Sequence, residues 1–182
     1  SAASDVYKRQ IADKATVAGV EVEIRKNLFV RPVSNAAHGM NKLSLGLNGS
    51  YIYTNAKMPL ATVTTGSQLE GAAPWIVNFD LSHNFTKGER SFVNTLVLNY
   101  VSDKIYTIGT QGYQDMMEKG VLTLDFVSQA KLNKHLSFNL KARNLLNPSY
   151  KLSRKANENG EKVILNDYKK GINISLGVSC TF

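Results

Sequence analysis

The sequence predicts an all-β protein, an antiparallel meander of about seven long strands, from three observations. Apolar and polar residues alternate with period two through most of the 182 residues. No long stretch shows the 3.6-residue period of a helix. From Leu43 onward, short turn signals alternate with longer connections between the patterned segments.

The patterned segments run in order along the chain. Ala18, Val20, Val22 and Ile24 alternate with Gly19, Glu21, Glu23 and Arg25. Leu43, Leu45, Leu47, Tyr51 and Tyr53 alternate with Ser44, Gly46, Asn48 and Ser50. Trp75, Val77, Phe79, Leu81 and Phe85 alternate with Asn78, Asp80, Ser82 and Asn84. Phe92 to Tyr100 is weaker, because Val93 and Val97 occupy the face that should be polar. Leu122, Leu124 and Phe126 alternate with Thr123 and Asp125, and Leu136, Phe138, Leu140 and Ala142 with Ser137, Asn139, Lys141 and Arg143. The last segment is the clearest: Ile172, Ile174, Leu176, Val178, Cys180 and Phe182 alternate with small polar residues. Successive strand residues face opposite sides, so each segment is a strand with one apolar face.

Composition narrows the class. There are 22 Lys+Arg against 14 Asp+Glu, a formal charge of +8, with 43% hydrophobic and 20% charged residues and a mean hydropathy of -0.20. This is too apolar for disorder, and no apolar run approaches the roughly 20 residues of a spanning helix. The single cysteine, Cys180, excludes a disulfide framework and any multi-cysteine metal site.

Residues 1–10, SAASDVYKRQ, resemble the translated end of a transposase sequencing adapter. Asp5 to Gln10 back-translates as GAT-GTG-TAT-AAG-AGA-CAG, the conserved adapter end. The segment is expected to be an adapter-derived artefact, with authentic sequence over 11–182 and the natural N-terminus missing. Taking Lys8 and Arg9 from the 22 basic residues and Asp5 from the 14 acidic ones leaves a charge of +7.

Thr86 to Arg90 and Leu132 to His135 read as tight turns, whereas Pro59 to Ala73 and Thr107 to Lys119 are long connections. Transmembrane barrels have this asymmetry, with short periplasmic turns and longer external loops. The Phe29 to Asn41 connection is too long for a periplasmic turn and fits less well. Asn159-Gly160 is a two-residue hairpin signal joining arms of Leu136 to Ala156 and Lys162 to Phe182. Crossing a bilayer takes only about 9–11 strand residues, so the excess is expected to project into water. Pro148 removes a ladder donor, and a bulge or kink is expected there.

A soluble sandwich also alternates. Two features favour an open part of a larger transmembrane barrel, in which the outer edges of the 15–26 and 162–182 strands are expected to be unpaired. The polar face is rich in Asn, Ser, Thr and Gly, as suits a lumen, and Trp75, Tyr51, Tyr53, Tyr100 and Phe182 sit near strand ends as interfacial girdles do.

Four segments carry a resemblance: Ala15 to Glu23, Leu69 to Asn78, Leu122 to Asp125 and, most specifically, Lys141-Ala142-Arg143-Asn144-Leu145-Leu146-Asn147-Pro148-Ser149-Tyr150. With them the chain resembles the C-terminal end of TonB-dependent outer-membrane receptors, in the form common in Bacteroidota, and the last segment looks like that family's NLLN strand. The resemblance implies a share of a 22-strand barrel around an N-terminal plug, in the outer membrane of a Gram-negative cell. It implies import of a scarce nutrient (iron chelate, cobalamin or glycan) driven by the TonB complex through an N-terminal part absent here. It further implies that Phe182 is the assembly signal read by the barrel assembly machinery at the periplasmic end. The 59–73 and 107–119 loops and the Asn159-Gly160 hairpin are then external.

No residue pattern implies an enzyme or a cofactor. His38, His83 and His135 lie in separate segments without ligand spacing, and a zinc site needs three or four converging ligands. No Ser sits in a GxSxG-like elbow, and Gly109 and Gly112 are not followed by the Lys-Ser/Thr of a phosphate loop. Glu21 and Glu23 share a face, either as paired carboxylates or, with Arg25, as a lumenal charge ladder. Asp80 and Asp125 are expected on the same wall, against a plug. Tyr106, Tyr113 and Met116, with Met117, are candidate ligand contacts in an external loop, or loop packing. Scattered basic residues argue against nucleic acid. Lys151, Arg154, Lys155, Lys162, Lys169 and Lys170 lie at or above the outer rim, where Lys169 and Lys170 are candidate contacts for lipopolysaccharide phosphates, or simply solvated. The competing functions are a soluble β-sandwich binding module and an independent small outer-membrane barrel.

Overall fold

The computed structural model describes residues 3–11, 15–33, 39–56, 74–107, 116–155 and 162–182. These contain β1 (Ala3–Ile11), β2 (Ala15–Pro32), β3 (Met40–Ala56), β4 (Trp75–Lys87), β5 (Arg90–Val101), β6 (Lys104–Thr107), β7 (Met116–Glu118), β8 (Val121–Lys131), β9 (Leu136–Arg143), β10 (Ser149–Lys155), β11 (Lys162–Lys169) and β12 (Asn173–Cys180). Among the described residues there is no helix. Every pairing is antiparallel.

An eight-stranded sheet runs β1-β2-β3-β4-β5-β8-β9-β12, and a four-stranded sheet runs β11-β10-β7-β6. The smaller sheet continues the larger one. β5 passes into β6, β7 into β8, β9 into β10 and β11 into β12, each through a short break. The pairing order is the same on both sides of these breaks. The chain after β1 is therefore the expected meander of long strands, with four of them interrupted at a common level.

Register carries the two faces across the sheet. Ile24, Leu47, Phe79, Leu98 and Leu124 stand opposite one another in turn on the apolar side. Glu23, Asn48, Asn78, Asn99 and Thr123 do so on the polar side. Among the described residues the only buried hydrophobic ones are Ile105 and Ala142, whereas Leu176 is 80% exposed and Val178 64%. Contacts between elements run between hydrogen-bonded neighbours. The sheets do not pack face to face, so the sandwich alternative lacks its core. An apolar face of this extent needs a nonaqueous neighbour.

Three sequence expectations are corrected. The edge of the 15–26 strand was expected to be unpaired, but β1 pairs with Ala15 to Glu23. An open row of N–H and C=O groups accepts any extended segment in reach. The 29–41 connection is shorter than it reads, because β2 extends to Pro32, β3 starts at Met40, and Val33 N donates to Gly39 O at 3.2 Å. The hairpin arms are not continuous: they break at 144–148, the level of the expected Pro148 kink, and at 170–172. The edge expected to be open on the last arm is open, since among the described residues β12 pairs only with β9 and β11 only with β10.

Gly88 has φ +59° at the first position of the two-residue loop between Lys87 and Arg90, the place a type II′ turn reserves for glycine. Gly120 is required for a different reason. A methyl group there would lie 2.6 Å from Val101 O, 2.8 Å from Ser102 C and 2.9 Å from Asp103 N, all backbone atoms. Gly120→Ala is expected to lower stability in urea unfolding by about 1–3 kcal/mol, since no side chain can move aside. An unchanged midpoint would contradict this packing.

Candidate functional site

The polar face is a linked surface. Arg25 Nε donates to Glu23 Oε1 at 2.7 Å, and its Nη1 lies 3.8 Å from Asp80 Oδ1. Arg25 and Asp80 sit on β2 and β4, with Gly46 of β3 between them in register. Second-neighbour strands are about 9.6 Å apart. The two side chains meet because the intervening residue has none, and the Asp80 carboxylate occupies the space a Gly46 methyl would take. Asn139 lies over Gly177 in the same way. Asn48 Nδ2 donates to Glu21 Oε1 at 3.0 Å, Ser44 Oγ to Asn27 Oδ1 at 3.1 Å, and Asn99 Nδ2 to Asn78 Oδ1. Glu21 and Glu23 thus hold separate partners. The ladder alternative fits and the paired-carboxylate one does not.

The breaks between the two sheets form a second structured region. Asp103 Oδ1 accepts from Gly120 N at 2.6 Å, and Ser102 Oγ from Trp75 N at 3.0 Å. Asn144 and Asn147, the two asparagines of the NLLN segment, have φ of +60° and +45°. Asn tolerates this left-handed region better than other non-glycine residues. Asn144 N donates to Asp125 Oδ1 at 2.8 Å and Asn144 Nδ2 to Gly171 O at 2.8 Å, while Gly171 N donates to Asn147 Oδ1 at 3.0 Å. The segment is a staple: from the break between β9 and β10 it holds Asp125 within β8 and Gly171 in the break between β11 and β12. Asp125, expected against a plug, here accepts from the backbone of Asn144.

Beyond the breaks, the Tyr150 and Tyr168 rings stack at 5.4 Å, Lys170 Nζ lies 4.3 Å over the Tyr150 ring, and Lys104 pairs with Glu118 at 3.6 Å. Lys169 ends β11 opposite Ser149. Met116 is half-buried in β7, opposite Arg154. Tyr106 lies in the backbone of β6. Tyr113, His38, Gly109, Gly112, Asn159-Gly160 and the 59–73 loop lie outside the described residues. His135 Nδ1 is 2.8 Å from Thr181 O, and Thr181 N donates to His135 O at 2.8 Å. The residues before Phe182 therefore rest on the 132–135 turn. Among the described residues no three His, Cys, Asp or Glu side chains gather as a metal site would need.

A two-faced antiparallel sheet with polar ladders on one side and an uncovered apolar side is the construction of an outer-membrane barrel wall. The family of TonB-dependent receptor-like β-barrels matches residues 1–145. The chain belongs to that family. Its members are outer-membrane receptors and transporters rather than enzymes. The apolar side of such a barrel meets lipid and the polar side lines the lumen. No curated protein and no solved structure matches the chain. The family match includes residues 1–10 and ends at Leu145, inside the Asn144–Asn147 staple, so β10, β11 and β12 lie beyond it.

Alternation located the barrel's lumenal ladder but missed two features. The NLLN segment reads as a family signature, not as a staple, although two asparagines before a proline are a turn signal. The second is a polar row on the lipid-facing side. Asn94 pairs with both His83 and Ser128 in register, and of these only His83 stands out in the sequence.

Proposed function

We propose that residues 11–182 are the C-terminal strands of a receptor barrel, of the Bacteroidota form, that imports an iron chelate, cobalamin or glycan across the outer membrane. The open edge of β11 and β12 carries this reading. Seven long strands leave a lipid-facing sheet with unpaired backbone, and only further strands of the same barrel satisfy it. The TonB complex acts through a part N-terminal to these strands. The barrel assembly machinery reads the last strand, with Phe182 at its end. Tyr106, Tyr113 and Met116 belong to the external surface that meets the ligand.

Residues 1–10 are adapter-derived in this proposal, and β1 takes the place of the barrel's preceding strand. Its register supports that. Lys8 falls opposite Ala18 and Ser4 opposite Val22, on the lipid-facing side of β2, and Asp5 falls opposite Glu21. An evolved neighbour would carry the alternation of β2 across this register. A long read across the 5′ side of the gene is the test. The expected frame continues upstream of Ile11, free of adapter sequence, into more strands, a plug and a signal peptide. A start codon directly before Ser1 overturns both statements.

Lys169 and Lys170 contact lipopolysaccharide phosphates at the outer rim. The Tyr150 ring holds the Lys170 ammonium in place, which lowers the entropic cost of meeting an anion. Lys169→Glu with Lys170→Glu is expected to reduce co-purified lipopolysaccharide by about tenfold. Unchanged co-purification rules the contact out.

A further inference from the structure

The lipid-facing side has one region that does not suit lipid tails. Three successive rows of register there read Lys26, Leu45, Leu81, Leu96, then Phe29, Leu43, His83, Asn94, Ser128, then Arg31, Asn41, Phe85, Phe92. The polar members are organised. His83 Nε2 lies 2.7 Å from Asn41 Oδ1. Ser128 Oγ donates to Asn94 Oδ1 at 2.6 Å, which leaves the Asn94 amide hydrogens without a partner among the described residues. The Arg31 guanidinium lies 5.3 Å over the Phe29 ring, and the Phe29 and His83 rings meet edge-on at 6.5 Å.

Charge makes the region informative. Lys26 and Arg31 stand on the lipid-facing register of β2 with no ion pair to an acidic side chain among the described residues. Every acidic residue of the neighbouring β2 and β4 segments, Glu21, Glu23 and Asp80, is on the opposite, lumenal face. A cation on the lipid side of a barrel is costly unless it reaches the interface or an anion. Lys26 and Arg31 are about 13 Å apart along the strand once the bulge at Asn27/Phe29 is counted, so both can reach one anion between them. The rows lie beside the short turns, with the Phe85–Phe92 pair below, where an interfacial girdle belongs.

We propose that this surface docks the headgroup of a glycerophospholipid in the periplasmic leaflet. Lys26 and Arg31 hold its phosphodiester, His83 and Asn41 border it, and the Asn94 amide donates to a glycerol ester oxygen. Ser128 is a positioning residue, since its hydroxyl fixes the direction of that amide. The proposal rests on the membrane reading of the apolar face and adds to it a lipid with a charged headgroup.

The test uses protein purified in detergent from its native membrane, with phosphatidylglycerol, diacylglycerol and inorganic phosphate as probes in native mass spectrometry. The wild type is expected to retain phosphatidylglycerol and not diacylglycerol, and excess inorganic phosphate should not displace it. Lys26→Leu with Arg31→Leu should lower retention about tenfold, and Asn94→Leu a few-fold. These changes place apolar groups against lipid, so folding is not at risk. Lys87→Leu with Arg90→Leu at the nearby turn should leave retention unchanged. In parallel, a fluorophore on Leu96→Cys, in a Cys180→Ser background, should be quenched by brominated lipid. Quenching with unaltered retention in the variants overturns the headgroup site and leaves the membrane face standing. Equal loss in the turn variant, or displacement by inorganic phosphate, also overturns it, as a general charge effect or a free-anion site. No quenching overturns the membrane face and the site with it.

Discussion

Phe79→Arg is expected to destabilise the protein by about 2–4 kcal/mol in a bilayer, whereas Asn78→Arg, at the preceding residue, should cost only about 1 kcal/mol. Phe79 stands in the row Ile24, Leu47, Phe79, Leu98, Leu124 on the apolar face, between the Tyr51–Trp75 pair (ring centroids 4.3 Å apart) and the Phe85–Phe92 pair. An arginine there faces hydrocarbon far from either interface. Asn78 is on the polar face and bonds Asn99, so its replacement loses one hydrogen bond and keeps a hydrated environment. Urea unfolding in phospholipid vesicles measures both. Equal costs would mean that the faces are assigned wrongly, and a larger cost at Asn78 would place the lipid on the polar side.

Asn144→Val is expected to cost about 3 kcal/mol, and Asn144→Gly about 1 kcal/mol. The comparison separates two contributions. Both substitutions remove the amide that donates to Gly171 O, and both keep the backbone N–H that donates to Asp125. Only valine must also hold a φ of +60°, where a β-branched side chain clashes with its own backbone. Thermal unfolding in detergent gives both values. If the two variants lose the same stability, backbone conformation is not what this position demands. If neither loses any, the staple does not hold the β9, β10 and β12 segments together.

Much of the fold was legible because alternation is a local property. A strand shows its faces through successive side chains, so Ile172 to Phe182 declares an apolar side without reference to any partner. Even the weak 92–100 segment proves to be a full strand, β5. Its Val93 and Val97 stand on the polar side opposite Gln129 and Asp125, so the irregular pattern reflects valines in the wall and not a missing element. Glu21, Glu23 and Arg25 were legible as a ladder for the same reason. Their partner Asp80 was placed on the correct wall, but its approach to Arg25 was not foreseeable, because it requires Gly46 to lie between them.

The number of long strands, the alternation of their faces, the turns at 86–90 and 132–135 and the family resemblance follow from the sequence by itself, because each depends on residues within about ten positions of one another. The tertiary structure alone decided what lies beside what. Asn41 meets His83 across 42 positions, and Asn94 meets Ser128 across 34. Asn144 reaches Gly171 across 27. The polar region facing lipid and the staple at the strand breaks both come from register between distant segments. A shift of one residue in any pairing would move a whole strand's side chains to the other face and abolish both, while the alternation within that strand stayed the same.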